Sequence, residues 1–253
     1  MAARLRVMTY NIRAGRGTDN RVDLGRIAGV IESFGPDVVA LQEVDCGRAR
    51  TSSVDQASEL GARLGMEPSF AACIERGSGR YGIATLTRLP LVETEQVELP
   101  YRAGVRRSEP RRALVTRVVW SDGAGSATPA ESDADRDQDE PLEVVNTHLS
   151  VLRRERPAQV AAITSALGDR PVVVAGDLNC TVRSGPFRAL CCGLRPAAPG
   201  ARSWPSRFPV VQIDHILYRG RLDVVKAGAW TSGDARRASD HLPVVAEFAR
   251  GAA

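Results

Sequence analysis

Six apolar runs in this 253-residue chain each lead into an acid, an amide or an imidazole. VMTYN reaches Asn11, DVVALQE reaches Glu43 and VVNTH reaches His148. VVVAGDLN carries Asp177 and Asn179, QIDHIL carries Asp214, and SDHLPVV opens with Asp240 and His241. Buried strands more often give way to turn residues such as Gly, Pro or Ser. Carboxylates and amides gathered at several strand ends are the donors that a small hard cation and a phosphoryl group require. Asn11 and Glu43 suit Mg2+ or Mn2+, ions that keep several waters and take few protein ligands.

Asp177 and Asn179 are two apart, so an extended backbone points both the same way, and Gly176 lets a ligand come close. A carboxylate there can orient and deprotonate water, and an amide can donate to a phosphoryl oxygen. His241 needs a second carboxylate to set its tautomer and raise its pKa, and Asp214 is the candidate. Among the three histidines, His215 follows Asp214 directly and is expected to face away from it as a structural residue.

The elements that must hold these groups follow from periodicity. Residues 5–10 read as a strand. DLGRIAGVIESFG has its apolar residues at helical spacing and ends at Gly35-Pro36, and DVVALQ then forms a short strand that Glu43 ends. VDQASELGARLG is a second helix. SFAACI, YGIATLTR, PLVETEQVEL and RALVTRVVW follow as an antiparallel meander. LEVVNTHLS (strand), RPAQVAAITSALG (helix), PVVVAGDLN (strand) and SGPFRALC (short helix) repeat the alternation. VQIDHILYR, LDVVKAGAW and LPVVAEFAR close with strands. This order predicts a single α/β domain over 1–253, with two mostly antiparallel sheets packed face to face and helices outside. Residues 121–141 hold almost nothing to bury and are expected to form a disordered insertion between two strands.

Apolar residues make up 43% of the chain, enough for a full core without staples. Five cysteines with no CxxC pair argue against a disulfide framework or a zinc cluster. The formal net charge is +4, but residues 131–140 carry a local −5, so the rest carries +9 and favours anionic substrates. Neither a signal segment nor a long apolar run stands out, so a cytoplasmic monomer without an obligate protein partner is expected.

The ordered set TYN, LQEV, NTHL, GDLN, IDHI and SDHLP resembles the endonuclease/exonuclease/phosphatase superfamily, from about Leu5 to Phe248. That resemblance implies a four-layer α/β sandwich and a divalent-metal-dependent phosphohydrolase, with Mg2+ or Mn2+ as cofactor and a phosphate ester as substrate. A phosphodiesterase is the first expectation. A nuclease acting on DNA or RNA is the alternative, and an inactive phospho-ligand-binding member is the reading from a different class. Residue by residue, the resemblance makes Asn11, Glu43 and Asp240 metal contacts. It makes Asp177 the residue that activates water and Asn179 its phosphate-binding neighbour. It makes His241 the histidine beside the scissile phosphate and Asp214 its orienting carboxylate, and His148 in NTHL matches the branch of the family with a catalytic histidine at that place. Arg111, or equally Arg112, matches a phosphate-facing arginine. Ile83 and Thr87 stand where the family often has Asn and Ser.

Overall fold

The computed structural model describes residues 4–120 and 141–251. The expected insertion at 121–141 therefore lies outside the described residues, apart from Pro141. Two six-stranded sheets carry the fold. The first has the order β11-β12-β1-β2-β4-β3 and the second β5-β6-β7-β8-β10-β9. Its strands are β1 (Leu5–Asn11), β2 (Val38–Cys46), β3 (Glu67–Arg76), β4 (Gly79–Thr87), β11 (Leu222–Ala229) and β12 (Val244–Arg250). The second sheet holds β5 (Leu91–Leu99), β6 (Arg111–Val118), β7 (Leu142–His148), β8 (Val172–Asp177), β9 (Arg195–Pro196) and β10 (Asp214–Arg219).

The helices are α1 (Leu24–Phe34), α2 (Gln56–Leu64), α3 (Arg156–Ala166), α4 (Gly185–Leu190) and α5 (Ala235–Ala238). Asp23 and Asp55 cap α1 and α2 by accepting from the N–H of Arg26 and Ser58, and Gly35 and Gly65 end them in left-handed backbone.

Each sheet has one parallel pair, β1 with β2 and β7 with β8, and each pair is joined by a helix crossover, α1 or α3. Side chains of Val7, Val38, Val144, Val173, Ile216 and Phe248 fill the space between the sheets. Ile27, Ile31 and Leu60 of α1 and α2 pack on the outer face of the first sheet, as Val160, Ile163 and Phe187 of α3 and α4 do on the second. The result is the expected four-layer α/β sandwich.

Three local readings need correction. Glu43 does not end its strand. β2 runs on to Cys46 through a bulge between Gln42 and Val44, and Glu43, with φ 58, is the extra residue. The bulge lets the strand keep pairing with β4 while turning one carboxylate out of the ladder. Asn179 is not extended behind Asp177: β8 ends at Asp177, and Asn179 lies in left-handed backbone with φ 50. The close approach at Gly176 is made by protein, not ligand, since a Cβ there would meet the Thr147 carbonyl oxygen at 1.9 Å.

Candidate active site

The parallel pairs deliver their C-terminal ends to one place. β1 brings Asn11, β2 brings Glu43, β7 brings His148 and β8 brings Asp177. Register places His148 beside Asp177 and Asp214 beside Asp177 on its other side. Beneath them the sheets are pinned by a buried polar network that the sequence did not reveal. Gln42 Nε2 donates to Asn146 Oδ1 at 2.9 Å, and Asn146 Nδ2 donates to the carbonyls of Leu41 and Ala84. Every member is satisfied, so the network fixes how the two sheets meet.

Asp177 Oδ2 is the point of convergence. It accepts from Asn11 Nδ2 at 3.0 Å, lies 3.4 Å from His148 Nε2 and 3.9 Å from His241 Nε2. Asn11 Nδ2 also donates to Glu43 Oε1 at 3.1 Å, while Asn11 Oδ1 accepts from the Arg13 N–H. Asp177 Oδ1 is held by the Asn179 N–H at 2.9 Å. The Asn179 amide is itself anchored, donating to the Leu149 carbonyl at 3.0 Å, so it ties the ends of β7 and β8 together.

His148 accepts at Nδ1 from Arg111 Nη1, 3.2 Å away, because a guanidinium has only donors. The proton of the neutral ring is then on Nε2, facing Asp177. Burial, with the charges of Arg111 and His241, holds the His148 pKa well below its usual value and keeps the ring neutral. His241 is the opposite case. Burial alone would lower its pKa, but Asp214, bonded to Nδ1 at 2.9 Å, and the charge of Asp177 raise it to about 10. Burial and the neighbouring charge of Asp214 push Asp177 up to about 7. One imidazole is thus neutral and the other cationic within reach of the same carboxylate.

Arg111 is buried and also pairs with Glu109 at 3.3 Å, whereas Arg112 turns to the far side of β6 toward Gln96 and Glu98. The alternation of side chains along β6 makes only one of the two face the site. His215 donates from Nε2 to the Cys180 carbonyl at 2.8 Å and tilts against Phe187, away from the site. The partly exposed carboxylate of Asp240 pairs with Arg13 at 3.7 Å, and its charge is felt by His241. Ile83 packs with Ala71 and Leu114. Tyr81 and Glu109, which no motif singled out, line the same cavity of about 950 Å³ as Glu43, Arg111, His148, Asp177 and His241. The signal for Tyr81 lay in the strand order, since β4 pairs with β2 and sets Tyr81 opposite Asp45.

Asp177, Asp214 and His241 present atoms within 4.8 Å of one another, a spacing that can also hold a metal ion. Here Nδ1 of His241 is spent on Asp214, and a cationic imidazole has no lone pair for a metal. The hard oxygen donors are the carboxylates of Glu43 and Asp177, which converge on Asn11 Nδ2.

The chain belongs to the Endonuclease/Exonuclease/phosphatase family, whose model matches residues 8–241. A sequence search of curated proteins found no match. Among solved structures, the chain is similar to an endonuclease/exonuclease/phosphatase from Beutenbergia cavernae, with 24% identity over 99% of this chain and 72% of that one and a TM-score of 0.73. It is similar to the human nocturnin catalytic domain solved with a bound sulfate anion, at 20% identity, covering 99% and 96%, with a TM-score of 0.72. A mannosyl-6-phosphatase from Bacteroides thetaiotaomicron matches at 18% identity, covering 96% and 99%, with a TM-score of 0.71. Among the described residues no helix is long and apolar enough to cross a membrane.

Proposed function

We propose that this chain hydrolyses phosphodiesters with the help of a divalent cation, Mg2+ or Mn2+. The observation that carries the reading is the meeting of Asn11, His148 and His241 on one oxygen of Asp177, in a cavity also lined by Arg111. The family supplies hydrolysis of phosphoester bonds as the general chemistry. The phosphatase among the structural neighbours is consistent with it.

Glu43 and Asn11, with Asp177 beside them, would hold the cation. When bound, it would draw charge from a phosphoryl oxygen and from the leaving group. The chain's own residues do the rest. Asp177, once ionised, accepts the proton of the attacking water. The neutral Nε2–H of His148 keeps Asp177 aimed, and Arg111 fixes the His148 tautomer from behind. The cationic Nε2–H of His241 donates to a non-bridging phosphoryl oxygen, where negative charge grows in the transition state. Asp214 holds that ring still and keeps it charged.

The test is turnover by the purified chain of bis(p-nitrophenyl) phosphate, p-nitrophenyl phosphate, sphingomyelin, DNA and RNA, with Mg2+, Mn2+ or EDTA. Metal-dependent cleavage of diesters in preference to the monoester is expected. Turnover of none of them with either metal would support the inactive, ligand-binding alternative.

A further inference from the structure

Beyond Glu43 and Tyr81 the active-site cavity adjoins a second recess of about 260 Å³, lined by Glu43, Arg48, Arg50, Ile74, Arg76, Tyr81 and Glu109. On its outer side the same three arginines border a further recess of about 400 Å³. Their arrangement is built rather than incidental. Asp45, two residues after Glu43 on β2, is fully buried and grips Arg50 through both carboxylate oxygens, at 2.7 Å to Nε and 2.8 Å to Nη2. Thr51 Oγ1 donates to the same carboxylate, and Arg48 lies 3.9 Å from it.

A guanidinium held side-on through Nε and Nη2 still has the whole of Nη1 and one Nη2 hydrogen to offer. Arg50 is half-exposed, so that free edge is open to solvent, and its head lies 5.4 Å from the centre of the Tyr81 ring. Arg76 has no carboxylate partner among the described residues. Two acids line the recess. Glu109 is paired with Arg111 at 3.3 Å, and Glu43 is the cation's ligand in the function proposed above. Burying a carboxylate costs several kcal/mol unless it is paired, so a surface ion pair alone is a poor return for Asp45. An arginine aimed at a second anion is a better one.

We propose that the Arg48, Arg50 and Arg76 recess is a second phosphate subsite, so that the preferred substrate carries a further phosphate beside the one that is cleaved. The inference rests on the phosphohydrolase reading for the position of the first phosphate. The shared chemistry is a bisphosphorylated ligand, and its phosphates can be borne by a nucleotide or by a sugar.

The experiment is titration calorimetry with two ligand pairs in EDTA, where the cation-dependent reaction proposed above does not run. One pair is thymidine 5′-phosphate with thymidine 3′,5′-bisphosphate. The other is fructose 6-phosphate with fructose 1,6-bisphosphate. In at least one pair the second phosphate should tighten Kd about tenfold, the worth of a charge-assisted hydrogen bond or two. Arg76→Ala, an exposed change, and Arg50→Lys, which keeps a cation for Asp45 but loses the fork, should bring the bisphosphate back to within about twofold of the monophosphate. The identity of the responding pair separates a nucleotide source from a sugar one. Equal Kd values within both pairs, or an advantage that survives both variants, would overturn the subsite. A tenfold advantage in a chain that cleaves no ester would keep the subsite and remove the catalytic reading instead.

Discussion

Asn11 Nδ2 and Asp177 Oδ2 are 3.0 Å apart although the residues are separated by 166 positions in sequence and belong to opposite sheets. The same nitrogen donates to Glu43 Oε1 at 3.1 Å. One amide therefore stands between two carboxylates, and the two halves of the sandwich meet chemically as well as through their apolar faces. Without a cation, these N–H donors are what the facing carboxylates share. With one, the carboxylates supply the oxygen ligands a hard ion takes.

Glu43→Gln should consequently weaken Mn2+ binding by an order of magnitude or more, since a hard dication loses a charged ligand, and should abolish most turnover. The fold should be unaffected, because Gln keeps the oxygen that accepts from Asn11. Calorimetric titration with Mn2+, alongside a melting curve in EDTA, separates the two effects. Unchanged Mn2+ affinity would move the cation site elsewhere.

Arg111 acts on His148 in two ways, as a donor to Nδ1 and as a nearby positive charge. Arg111→Gln removes the charge and leaves a side-chain amide. The His148 pKa should rise toward the ordinary histidine range, though burial, the larger cause, stays in place. NMR titration of the ring resonances reads this directly. A His148 ring that titrates identically in both proteins would mean that Arg111 does not set its charge state.

His241 should be the most sensitive position outside the cation's ligands. Losing a donor aimed at developing charge typically costs roughly 10²- to 10³-fold in kcat, about 3 to 4 kcal/mol. His241→Ala should show that loss with little change in KM. Asp214→Asn should show a smaller one, and its kcat should fall at high pH, where wild-type His241 is still charged, because the carboxylate that lifts the ring toward a pKa of about 10 is gone. Equal kcat–pH profiles for wild type and Asp214→Asn would remove Asp214 from its positioning role.

Much of this was legible in the chain because strand-end polar residues are rare enough to stand out. Asn11, His148, Asp177, Asp214 and His241 all follow or begin apolar strands, and five short runs sufficed to find them. What stayed hidden depends on contacts between distant segments. Periodicity ended β2 at Glu43 because an acid after an apolar run looks like a strand's end, and a bulge leaves no local mark when the residue with φ 58 is not glycine. The choice between Arg111 and Arg112 needed the register of β6. The Asp45–Arg50 pair carries no mark in the sequence, because an acid and an arginine five apart near a turn are common on any surface. Only the burial of Asp45 sets this pair apart.

His215 supplies a test of stability that is independent of catalysis. Burial lowers its pKa to about 4, against the ordinary histidine value of 6.5, even though its bond to the Cys180 carbonyl and the charge of Asp214 pull the other way. A depressed histidine pKa means that the unfolded chain binds a proton the folded chain refuses. The contribution to stability is complete above pH 6.5 and is lost as pH falls toward about 4. Each such proton steepens the loss by about 1.4 kcal/mol per pH unit within that window. His148 adds to the acid sensitivity in the same direction. Asp177 opposes it, because its raised pKa favours the folded state below the ordinary carboxylate range, an advantage that disappears as pH rises through about 7. His215→Gln keeps a donor for the Cys180 carbonyl and removes the titration. Urea unfolding of wild type and variant at several pH values between 4 and 8, in EDTA, should therefore show the two curves diverging below pH 6.5, with the variant losing stability less steeply, and running parallel above it. Curves that stay parallel through the whole range would mean that His215 titrates alike in the folded and unfolded chains, and that burial does not hold its pKa down.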